Sequence, residues 1–552
     1  MPREVRLTAL GGLGEIGKNI MMVESGEDAI LIDCGLAFPH EDMLGVDLVI
    51  PDITYVKKQK RKLRGIVLTH GHEDHVGALP WALKEVNVPV YGTKLTLGLA
   101  KRKINEVLTD GGYDFRTVAP RDVVSFGGIK VEFFRVTHSV SDSCGLIIYT
   151  DAGILVHTGD FKLDQTPIDG EVFDYHRLAE VGERGVLALL SDSTHADRPG
   201  FTPSEKDVGE ALFRIFSGAT ERIIVTTFAS NVPRIQQVID TASYFGRKVA
   251  VVGRSMQNVV EVALALGYLK APIGTLVDVE DLDKYPRSKM VILSTGSQGE
   301  PLSALHRMSL GEHKHVEIDE GDLVIMAATP VPGNETMVSQ TVDNLFRRGA
   351  KVIYTPESGV HVSGHSSQEE LKLILNLVKP RFFIPIHGEY RHLVIHGELA
   401  QQTGVAPSRV LIGENGSVFR LTPDSGEIVD VVPTGGIMLD NVGLTHVSEE
   451  VLRERRILAE AGIITISVVL SRGGRELASE PAVESRGFMY NAPEDGVLQE
   501  ISRRTRSYFQ ALPTEALSDL EFIRHDLEET VAKYVHHETG VKPLVTVHIC
   551  RV

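Results

Sequence analysis

The stretch LTHGHEDHVGALP, residues 68–80, places three histidines and two acids within six consecutive positions. The apolar run GIVLT (65–69) leads into it and has the composition of a buried strand. The apolar residues that follow have the spacing of a helix. Imidazole and carboxylate groups without a nearby cysteine are ligands for zinc or manganese. The stretch therefore predicts a metal site at the end of a strand in an α/β fold.

The spacing within this stretch indicates two ions rather than one. His70 and His72 can serve one ion, while Asp74 and His75 can face a second. A single H-x-H pattern would carry little information, because histidines are common in polar loops. The pattern H-x-H-x-D-H directly after a strand is much more specific, and a polar capping loop is the alternative explanation.

Isolated residues at the ends of later strands can complete the two sites. His138 follows IKVEFFRVT, Asp160 ends GILVHTGD, and His387 follows RFFIPI. Taken singly, each could be a helix cap or a hydrogen-bonded surface group. Three such residues, each at the end of an apolar strand, favour metal ligation. Asp160 could bridge two ions through its two oxygens, and paired ions about 3.5–4 Å apart stabilise the attacking and leaving oxygens of a displacement.

The 552 residues are too many for one ordinary core and predict two or three domains. Strands and helices of an α/β layout are followed, from residue 206, by alternating amphipathic helices and buried strands, which predict an inserted parallel-sheet domain. RFFIPIHGE then resembles the early ligand-rich strands, so we expect the first domain to resume. The predicted boundaries are 1–205 for the first part of the first domain, 206–360 for the insertion, 361–440 for the resumed domain and 441–552 for a linker with a C-terminal β-α-α-β domain.

Glycines early in the chain match a nucleotide-binding fingerprint without its context. In GGLGEIGKN, Gly12, Gly14 and Gly17 fit G-x-G-x-x-G, which indicates a dinucleotide site only where a helix follows. Here NIMMVE, SGED and AILIDCG follow, the pattern of a β-hairpin. We therefore interpret the glycines as shaping a tight turn.

The composition argues against several classes of protein. A formal net charge of −17 argues against a broad basic face that coats nucleic acid, but not against a small local phosphate site. The three cysteines are scattered and odd in number, which suits a reducing compartment and excludes a disulfide framework. Neither a signal-peptide pattern nor an apolar window of about 18 residues is present. These features predict a cytoplasmic protein with no membrane partner.

Taken together, the motifs resemble those of the metallo-β-lactamase superfamily and its β-CASP nucleic-acid-processing branch. The order of the segments, the phrases GGLGEIGKN, HVSGHSSQEE and HGEYRHL, and the C-terminal unit resemble the ribonuclease J family over essentially the whole chain. The positions that match the superfamily signature and the β-CASP motifs are His70–His75, His138, Asp160, Asp33, Asp192 in LLSDSTHA, His365 in HVSGHSS and His387 in IPIHGE.

The resemblance implies a fold and a set of metal ligands. The fold would be a metallo-β-lactamase αββα sandwich interrupted by an inserted β-CASP α/β domain, plus a small C-terminal α+β domain. Two divalent ions are implied, zinc in the first place, with manganese or magnesium as alternatives. One ion would be held by His70, His72 and His138, the other by Asp74, His75 and His387, with Asp160 bridging. Asp33 would orient a ligand from outside the site, or else only hold the turn with Gly35.

The resemblance also implies which residues act on the substrate. The catalytic residues would be Asp74, Asp192 and His365, with the histidine donating to a phosphate oxygen and Asp192 orienting a neighbouring imidazole. The HVSGH loop, residues 361–365, offers phosphate donors, although a polar turn that caps the next helix is the alternative. The expected substrate-binding residues are Ser230 and Asn231 of FASNVPR, which could equally be helix-start residues, and His361, Val362, Ser363, Gly364 and His365.

The implied activity is a metal-dependent ribonuclease that cuts single-stranded RNA in RNA maturation and decay. It would combine 5′→3′ exonuclease and endonuclease action and prefer a 5′-monophosphate. RNA is favoured over DNA because β-CASP enzymes acting on DNA generally have an aliphatic residue in place of His387. The alternatives are a β-CASP endonuclease without exonuclease activity, a catalytically silent RNA-binding assembly protein and, more distantly, a thioester hydrolase. Expected partners are further copies of the chain in a homodimer or homotetramer, and other RNA-decay proteins. The C-terminal unit is either an oligomerisation module, as the family relatives suggest, or only a packing appendage.

Overall fold

The structure is a computed structural model that describes residues 3–40, 42–108, 111–297, 303–330, 334–440, 445–471, 476–488, 494–513 and 519–552. The chain forms two compact units. One comprises Met1–Phe38 and Leu48–Ile437, and the other comprises Pro39–Asp47 and Met438–Val552. Within the described ranges, no helix combines the length and the apolar character needed to span a bilayer.

Two sheets of the first unit enclose an apolar core. Over the described residues the first sheet has eight strands, in the spatial order Gly426–Val431, Ser417–Leu421, Val5–Gly11, Ile20–Ser25, Asp28–Ile32, Leu63–Val67, Val90–Gly92 and Phe115–Thr117. The second has six, in the order Phe382–Ile386, Ala188–Asp192, Gly153–His157, Cys144–Thr150, Ile129–Arg135 and Val123–Phe126. Side chains from both sheets, among them Leu7, Phe133 and Phe419, are fully buried in this core.

The second sheet is apolar on both faces because neighbouring residues of a strand point in opposite directions. Phe133 faces the core between the sheets, and the next residue, Phe134, faces a second core beneath helices. The helices that cover this outer face are Tyr175–Arg184, Gln368–Val378 and Tyr390–Gln402. On the other side of the sandwich, Leu79–Glu85 and Lys94–Val107 pack beside the first sheet. The result is the predicted αββα arrangement.

A separate parallel sheet forms the inserted domain. Its strands, in spatial order, are Leu276–Val277, Lys248–Val252, Met290–Ser294, Ile223–Thr226, Leu323–Met326 and Lys351–Ile353. One face packs against helices Glu205–Gly218, Val232–Tyr244 and Arg254–Leu266. The other face packs against Ala304–Leu310 and Glu335–Arg347. A sheet with helices on both faces and apolar strands is typical of parallel α/β domains.

After the insertion the chain returns to the sandwich, as predicted. Phe382–Ile386 pairs in parallel with Ala188–Asp192, with Asp192 opposite Ile386. The early hairpin is also present, because Ile20–Ser25 and Asp28–Ile32 pair antiparallel. Gly12 lies before it with φ +81°, and a Cβ there would stand 2.3 Å from Asn19 Oδ1. This glycine is therefore needed for a tight turn and not for a dinucleotide.

The second unit contains a three-stranded sheet over the described residues. In spatial order the strands are Ala482–Arg486, Ile463–Leu470 and Leu544–Arg551. Helices Glu494–Ala511 and Leu520–Thr539 pack on this sheet through a core that includes Ile464, Ile501 and Leu527. Beyond the β-α-α-β pattern that the sequence predicted, the described part of the unit contains the helix Glu449–Ala461, the strand Thr445–Val447 and the strand Ala482–Arg486. The last of these was missed because AVESR offers a single large apolar side chain.

The remaining regular elements are short. The strands are Leu13–Gly14, Leu48–Pro51, Gly388–Glu389, Gly436–Asp440 and Thr445–Val447. The α-helices are Thr54–Lys58 and Glu73–Val76, and the 3-10 helices are Val279–Lys284, Arg287–Lys289, Pro356–Ser358 and Pro407–Arg409.

Candidate metal centre

The candidate ligands gather where parallel strands of the two sheets end. Asp33 follows Asp28–Ile32 and lies beside the end of Leu63–Val67, because its backbone N–H donates to the Val67 carbonyl. In the second sheet, Asp192 is the last residue of its strand and lies opposite Ile386. Carboxyl ends of parallel strands meet at one edge of a sheet, so residues far apart in the sequence come together there.

The first ligand group consists of His70, His72, His138 and Asp160, whose ligand atoms all lie within 4.8 Å of one another. Three imidazole nitrogens converge: His72 Nδ1 is 3.1 Å from both His70 Nε2 and His138 Nε2. Asp160 Oδ2 lies 3.7 Å from His70 Nε2 and 3.9 Å from His138 Nε2. All three predicted histidines therefore face the predicted aspartate.

The second ligand group consists of Asp74, His75, Asp160 and His387. Asp74 Oδ2 lies 3.5 Å from His75 Nε2 and 3.4 Å from His387 Nε2. Asp160 Oδ2 is 3.3 Å from His75 Nε2, and its Oδ1 is 2.9 Å from His387 Nδ1. Asp160 therefore belongs to both groups, which is the position a bridging carboxylate requires.

Hydrogen bonds outside the two groups orient three of the imidazoles. Asp33 Oδ2 is 2.8 Å from His75 Nδ1, which leaves Nε2 to face the second group. The Thr69 hydroxyl donates to Asp33 at 2.8 Å and so can accept from His70 Nδ1 at 3.0 Å. His138 Nδ1 lies 2.7 Å from the Gly364 carbonyl and donates to it. Such bonds fix the tautomer that presents a lone pair to a metal.

Burial and charge act differently on the two groups. Burial and the neighbouring imidazoles hold the pKa of His70 and of His138 well below the usual value. These rings are therefore neutral at pH 7 and have lone pairs to share. For Asp160, burial opposes ionisation, but the imidazoles of His387 and His75 outweigh it and hold the pKa of the carboxyl well below its ordinary range. The first group thus combines neutral nitrogens with an ionised carboxylate. In the second group burial also lowers the pKa of His75 and of His387, but the Asp160 carboxylate and its neighbours outweigh this and raise the pKa of both rings well above the usual value.

The donor set fits divalent metal ions. Tetrahedral ligands at typical Zn–N distances are about 3.4 Å apart, close to the 3.1 Å between imidazole nitrogens in the first group. His387 Nε2 is buried and makes no hydrogen bond within the described part of the chain, although Asp74 Oδ2 lies 3.4 Å away. A buried polar atom without a hydrogen bond is costly, and a metal ion would satisfy this one. Nitrogen and oxygen ligands with no cysteine suit zinc or manganese.

The buried Asp192 and the partly exposed His365 form a pair beside the two groups. Asp192 Oδ2 is 2.7 Å from His365 Nδ1, and its Oδ1 accepts from the backbone N–H of Thr194 at 3.0 Å. The His365 ring lies 5.0 Å from that of His138 and 5.5 Å from that of His387, measured between centroids. Burial lowers the pKa of His365, but the Asp192 carboxylate outweighs this and raises it above its usual value. The pair can therefore hold a proton next to the candidate ligands.

The HVSGH loop lies against the first ligand group. The Gly364 carbonyl accepts from His138, and a Cβ on Gly364 would stand 2.7 Å from that ring. Only glycine fits this close approach. The Ser363 hydroxyl accepts from the His365 N–H at 3.1 Å. Val362 differs from its neighbours because its side chain is buried in the core of the inserted domain, so only its backbone could contact a substrate.

Of the two expected residues in FASNVPR, Asn231 serves as a helix cap. Its side-chain oxygen accepts from the Arg234 N–H at 3.0 Å, and the residue is almost fully buried. Ser230 is partly exposed in the preceding turn, and its carbonyl accepts from the Val232 N–H. The structure therefore uses the Asn231 oxygen within the fold and does not bring this segment into either ligand group.

Sequence reasoning missed Asn19, which contacts two residues of the second ligand group. Its amide nitrogen is 3.3 Å from Asp74 Oδ2, 3.2 Å from the Asp74 carbonyl and 3.0 Å from His75 Nε2. The only available signal was the position of an asparagine after a run of glycines. The sequence pattern predicted only an ordinary strand residue at Thr69, whereas its hydroxyl links Asp33 with His70.

Small pockets lie beside both sets of ligands. A pocket of about 30 Å³ borders His138 and is lined by residues of the sandwich and by Glu205 and Pro233 of the inserted domain. A second pocket, of about 20 Å³, borders His75 and His387. The ligands are therefore not sealed by packing on every side.

Family models match successive parts of the chain. The description "Metallo-beta-lactamase superfamily" matches residues 13–213, and "Ribonuclease J, beta-CASP domain" matches residues 220–345. "Zn-dependent metallo-hydrolase RNA specificity domain" matches residues 350–411, and "Ribonuclease J C-terminal domain" matches residues 450–552. The order agrees with a sandwich that is interrupted, resumed and followed by a further domain.

Curated relatives align with nearly the whole chain. Ribonuclease J2 of Bacillus subtilis is 41% identical, and the alignment covers 98% of this chain and 97% of that protein. Ribonuclease J of Thermus thermophilus is 44% identical over 98% of this chain and 94% of its own length. The chain belongs to the ribonuclease J family. The predicted family and the predicted fold class, a metallo-β-lactamase domain with an inserted β-CASP domain and a C-terminal domain, are confirmed.

Membership of the ribonuclease J family confirms the predicted enzyme class, a metal-dependent hydrolase of RNA. A solved structure of a protein of unknown function from Enterococcus faecalis has a TM-score of 0.52 and 17% sequence identity, and the match covers 75% of this chain and 99% of that one. At this identity the likeness concerns the fold alone. The ribonuclease J assignment therefore rests on the family models and the full-length relatives.

Proposed function

We propose that this chain cleaves single-stranded RNA both internally and, from the 5′ end, as an exonuclease that prefers a 5′-monophosphate. One observation carries the proposal: the HVSGH loop is joined to a candidate metal ligand by the 2.7 Å hydrogen bond between His138 Nδ1 and the Gly364 carbonyl. A phosphate held by this loop would lie beside the site where the next linkage is cut. The exonuclease activity, the endonuclease activity and roles in RNA maturation and decay belong to the proposal.

Two divalent ions, with zinc as the first choice, are part of this proposal. The first would be held by His70, His72, His138 and Asp160, and the second by Asp74, His75, Asp160 and His387. When bound, the ions would supply activation of water and stabilisation of negative charge on the attacked phosphate. Asp74, which we expected to be catalytic, would act through this second group.

The chain's own catalytic groups would be Asp192 and His365. With Nδ1 held by Asp192 at 2.7 Å, the other ring nitrogen of His365 can donate a proton or a hydrogen bond. The raised pKa keeps a proton available near neutral pH. We propose that His365 donates to an oxygen of the scissile phosphate and that Asp192 fixes the direction of this donation.

A 5′-monophosphate would bind the HVSGH loop through Ser363, the Gly364 backbone and the flanking histidines. A 5′-hydroxyl would leave these donors without a partner, at a cost of about 1–3 kcal/mol for each buried group. A triphosphate would be larger and more highly charged than the loop can take. Internal cleavage does not depend on the terminal group and should be less sensitive to it.

Two alternatives remain distinguishable by experiment. A β-CASP endonuclease without exonuclease activity would cut internally and release no mononucleotides from the 5′ end. A catalytically silent RNA-binding assembly protein would lack ligands, whereas every expected ligand of this chain lies in one of the two groups. A homodimer or homotetramer and further RNA-decay partners are also proposed. A cytoplasmic location is supported by Cys34 and Cys144, which are buried free thiols.

Removing the Ser363 hydroxyl should reduce the preference for a 5′-monophosphate over other 5′ ends. Wild-type protein should degrade 5′-monophosphorylated RNA faster than RNA with a 5′-hydroxyl or a 5′-triphosphate. In Ser363→Ala the three rates should converge, while internal cleavage stays largely intact. The measurement is the rate of mononucleotide release from three otherwise identical labelled RNAs. Ser366→Ala is a matched control, because the Ser366 hydroxyl donates to the Phe161 carbonyl inside the fold. Equal wild-type rates for all three ends would refute the proposed phosphate pocket.

Asp33→Asn should weaken metal binding without unfolding the protein. Asp33 has φ +57°, a conformation that asparagine tolerates, so the backbone can keep its shape. The amide is uncharged and orients His75 less well, and the loss of such a supporting carboxylate typically costs about 10–100-fold in metal affinity or activity. The measurement is competition with a chelator. Added metal should restore activity, and a loss of activity that no metal concentration restores would contradict an orienting role.

A further inference from the structure

Arg234 is a buried arginine that belongs to neither ligand group. It lies on helix Val232–Tyr244 of the inserted domain, and its side chain has 0% exposure. A buried arginine is destabilising unless it is paired and its donors are satisfied. The sequence does not predict that Arg234 is buried, because FASNVPR is typical of the start of a helix.

The Arg234 guanidinium uses all of its donors within the fold. Nε and Nη2 donate to the two carboxylate oxygens of Glu205 at 2.9 and 2.8 Å. Nη1 donates to the Ala327 carbonyl at 2.7 Å and to His361 Nδ1 at 3.0 Å, and Nη2 also donates to the Val362 carbonyl at 3.2 Å. A guanidinium has five N–H groups, and these five contacts occupy them. Arg234 therefore has none left for a phosphate, so its effect on RNA must pass through its partners.

Two of those partners are the first residues of the HVSGH loop, and the other end of the loop is held from the sandwich. The Gly364 carbonyl accepts from His138, and His365 pairs with Asp192. The loop is thus tied at its start to the inserted domain and at its end to the candidate metal centre. Ser363 stands between these two attachments.

We propose that Arg234 is a positioning residue for the HVSGH loop. It holds His361 and Val362 in place. The position of Ser363 relative to His138, and with it the preference for a 5′-monophosphate, then depends on Arg234. This inference rests on the proposed function, because it assumes that the loop binds the terminal phosphate.

The contact with His361 adds a chemical consequence. Since Nδ1 accepts from Arg234, the neutral ring must carry its proton on Nε2. Burial and the Arg234 charge lower the pKa of His361 to about 3, so the ring stays neutral at physiological pH. Arg234 thereby selects one tautomer of a residue that we expect in the phosphate pocket.

Arg234→Lys tests the proposal with the charge retained. Lysine can pair with Glu205, but its single ammonium cannot hold the carboxylate, the Ala327 carbonyl and the loop together. We expect the kcat/KM ratio of 5′-monophosphorylated to 5′-hydroxyl RNA to fall about 10- to 100-fold, the effect of misplacing a binding group by about 1 Å. The loss should appear mainly in KM for the monophosphorylated end, and internal cleavage should change little. Adding Ser363→Ala should lower the ratio no further, because both changes act on one pocket.

Arg222→Lys is the matched control. Arg222 is also a mostly buried arginine of the inserted domain, with 8% side-chain exposure, and it pairs with Asp322 at 2.5 Å and donates to the Glu317 carbonyl. Its substitution should lower the thermal stability of the protein but leave the end-preference ratio unchanged. Should Arg234→Lys fold poorly, Glu205→Gln serves instead, since it removes the carboxylate and leaves the arginine in place. The fold of each variant is checked by circular dichroism before kinetics.

The outcomes separate the two proposals. If wild-type protein shows no end preference, the proposed phosphate pocket is wrong and the role of Arg234 falls with it. If wild type is selective and Ser363→Ala is not, an Arg234→Lys protein that keeps the wild-type ratio overturns only the inference about Arg234. An equal loss for both RNA ends also overturns it, because that result indicates a merely structural arginine.

Discussion

Asp160→Asn should abolish nearly all turnover of RNA, with the loss in kcat at about 10³-fold or more. Asp160 is the one residue shared by both ligand groups, so the amide would weaken two candidate metal sites at once. A metal ion is worth several kcal/mol of transition-state stabilisation, and each 1.36 kcal/mol corresponds to a factor of ten in rate. Steady-state kinetics on labelled RNA, with metal content measured on the same preparation, would give the loss.

Two comparisons show whether the loss of turnover in Asp160→Asn is due to metal binding. Asp174→Asn removes a carboxylate from the same domain that caps a helix and pairs with Arg121, and it should leave turnover close to wild type. Exhaustive chelation of the wild type should match the effect of Asp160→Asn, and adding His75→Ala to that variant should cost little more, since residues acting as a unit are not additive. Full activity of metal-free wild-type protein would reject the two-metal proposal.

His365→Ala should lower kcat for both internal cleavage and 5′-end degradation by about 10²–10⁴-fold, the usual contribution of a general acid or base. The effect should differ from that of Ser363→Ala, which changes the preference for the terminal group only. His365 lies beside both ligand groups and is held by Asp192, so it would serve every phosphate that reaches the site. Single-turnover rates on RNAs with a blocked 5′ end and with a free 5′-monophosphate would separate the two variants.

Asp192→Asn is the companion to His365→Ala. The asparagine can keep the hydrogen bonds from Thr194 but loses the charge that favours the protonated imidazole of His365. We expect a smaller loss than for His365→Ala, together with a shift of the alkaline limb of the pH–rate profile to lower pH. A profile with an unchanged alkaline limb would show that Asp192 supports the fold and not the proton on His365.

The candidate centre was predictable where its candidate ligands are close in sequence or end recognisable strands. His70 to His75 lie together, and His138, Asp160 and His387 each follow an apolar strand. Boundaries were less predictable: GIVLT suggested a strand through residue 69, whereas the strand is Leu63–Val67. The strand ends earlier because the Thr69 N–H donates to the Asp33 carboxylate and not to a neighbouring strand.

Residues that act through tertiary contacts could not be predicted from local pattern. Asn19 and Thr69 have ordinary sequence contexts, and their roles arise only when the turn, the strands and the ligands meet. Arg234 is the clearest case. Its burial depends on Glu205, Ala327 and the HVSGH loop, which stand up to 128 positions away in the chain.

The pairing of Phe382–Ile386 with Ala188–Asp192 has a consequence for synthesis of the protein. The strand before His387 can join the sheet only after the whole inserted domain has been made, and such long-range pairing is slow to form. Since domains fold as units during synthesis, the β-CASP domain can fold while the sandwich that it interrupts is still incomplete. The nascent chain therefore lacks His365 and His387 for most of its translation. If His365 and His387 have the roles proposed above, the enzyme emerges from the ribosome inactive and acquires its nuclease activity only late in its own production.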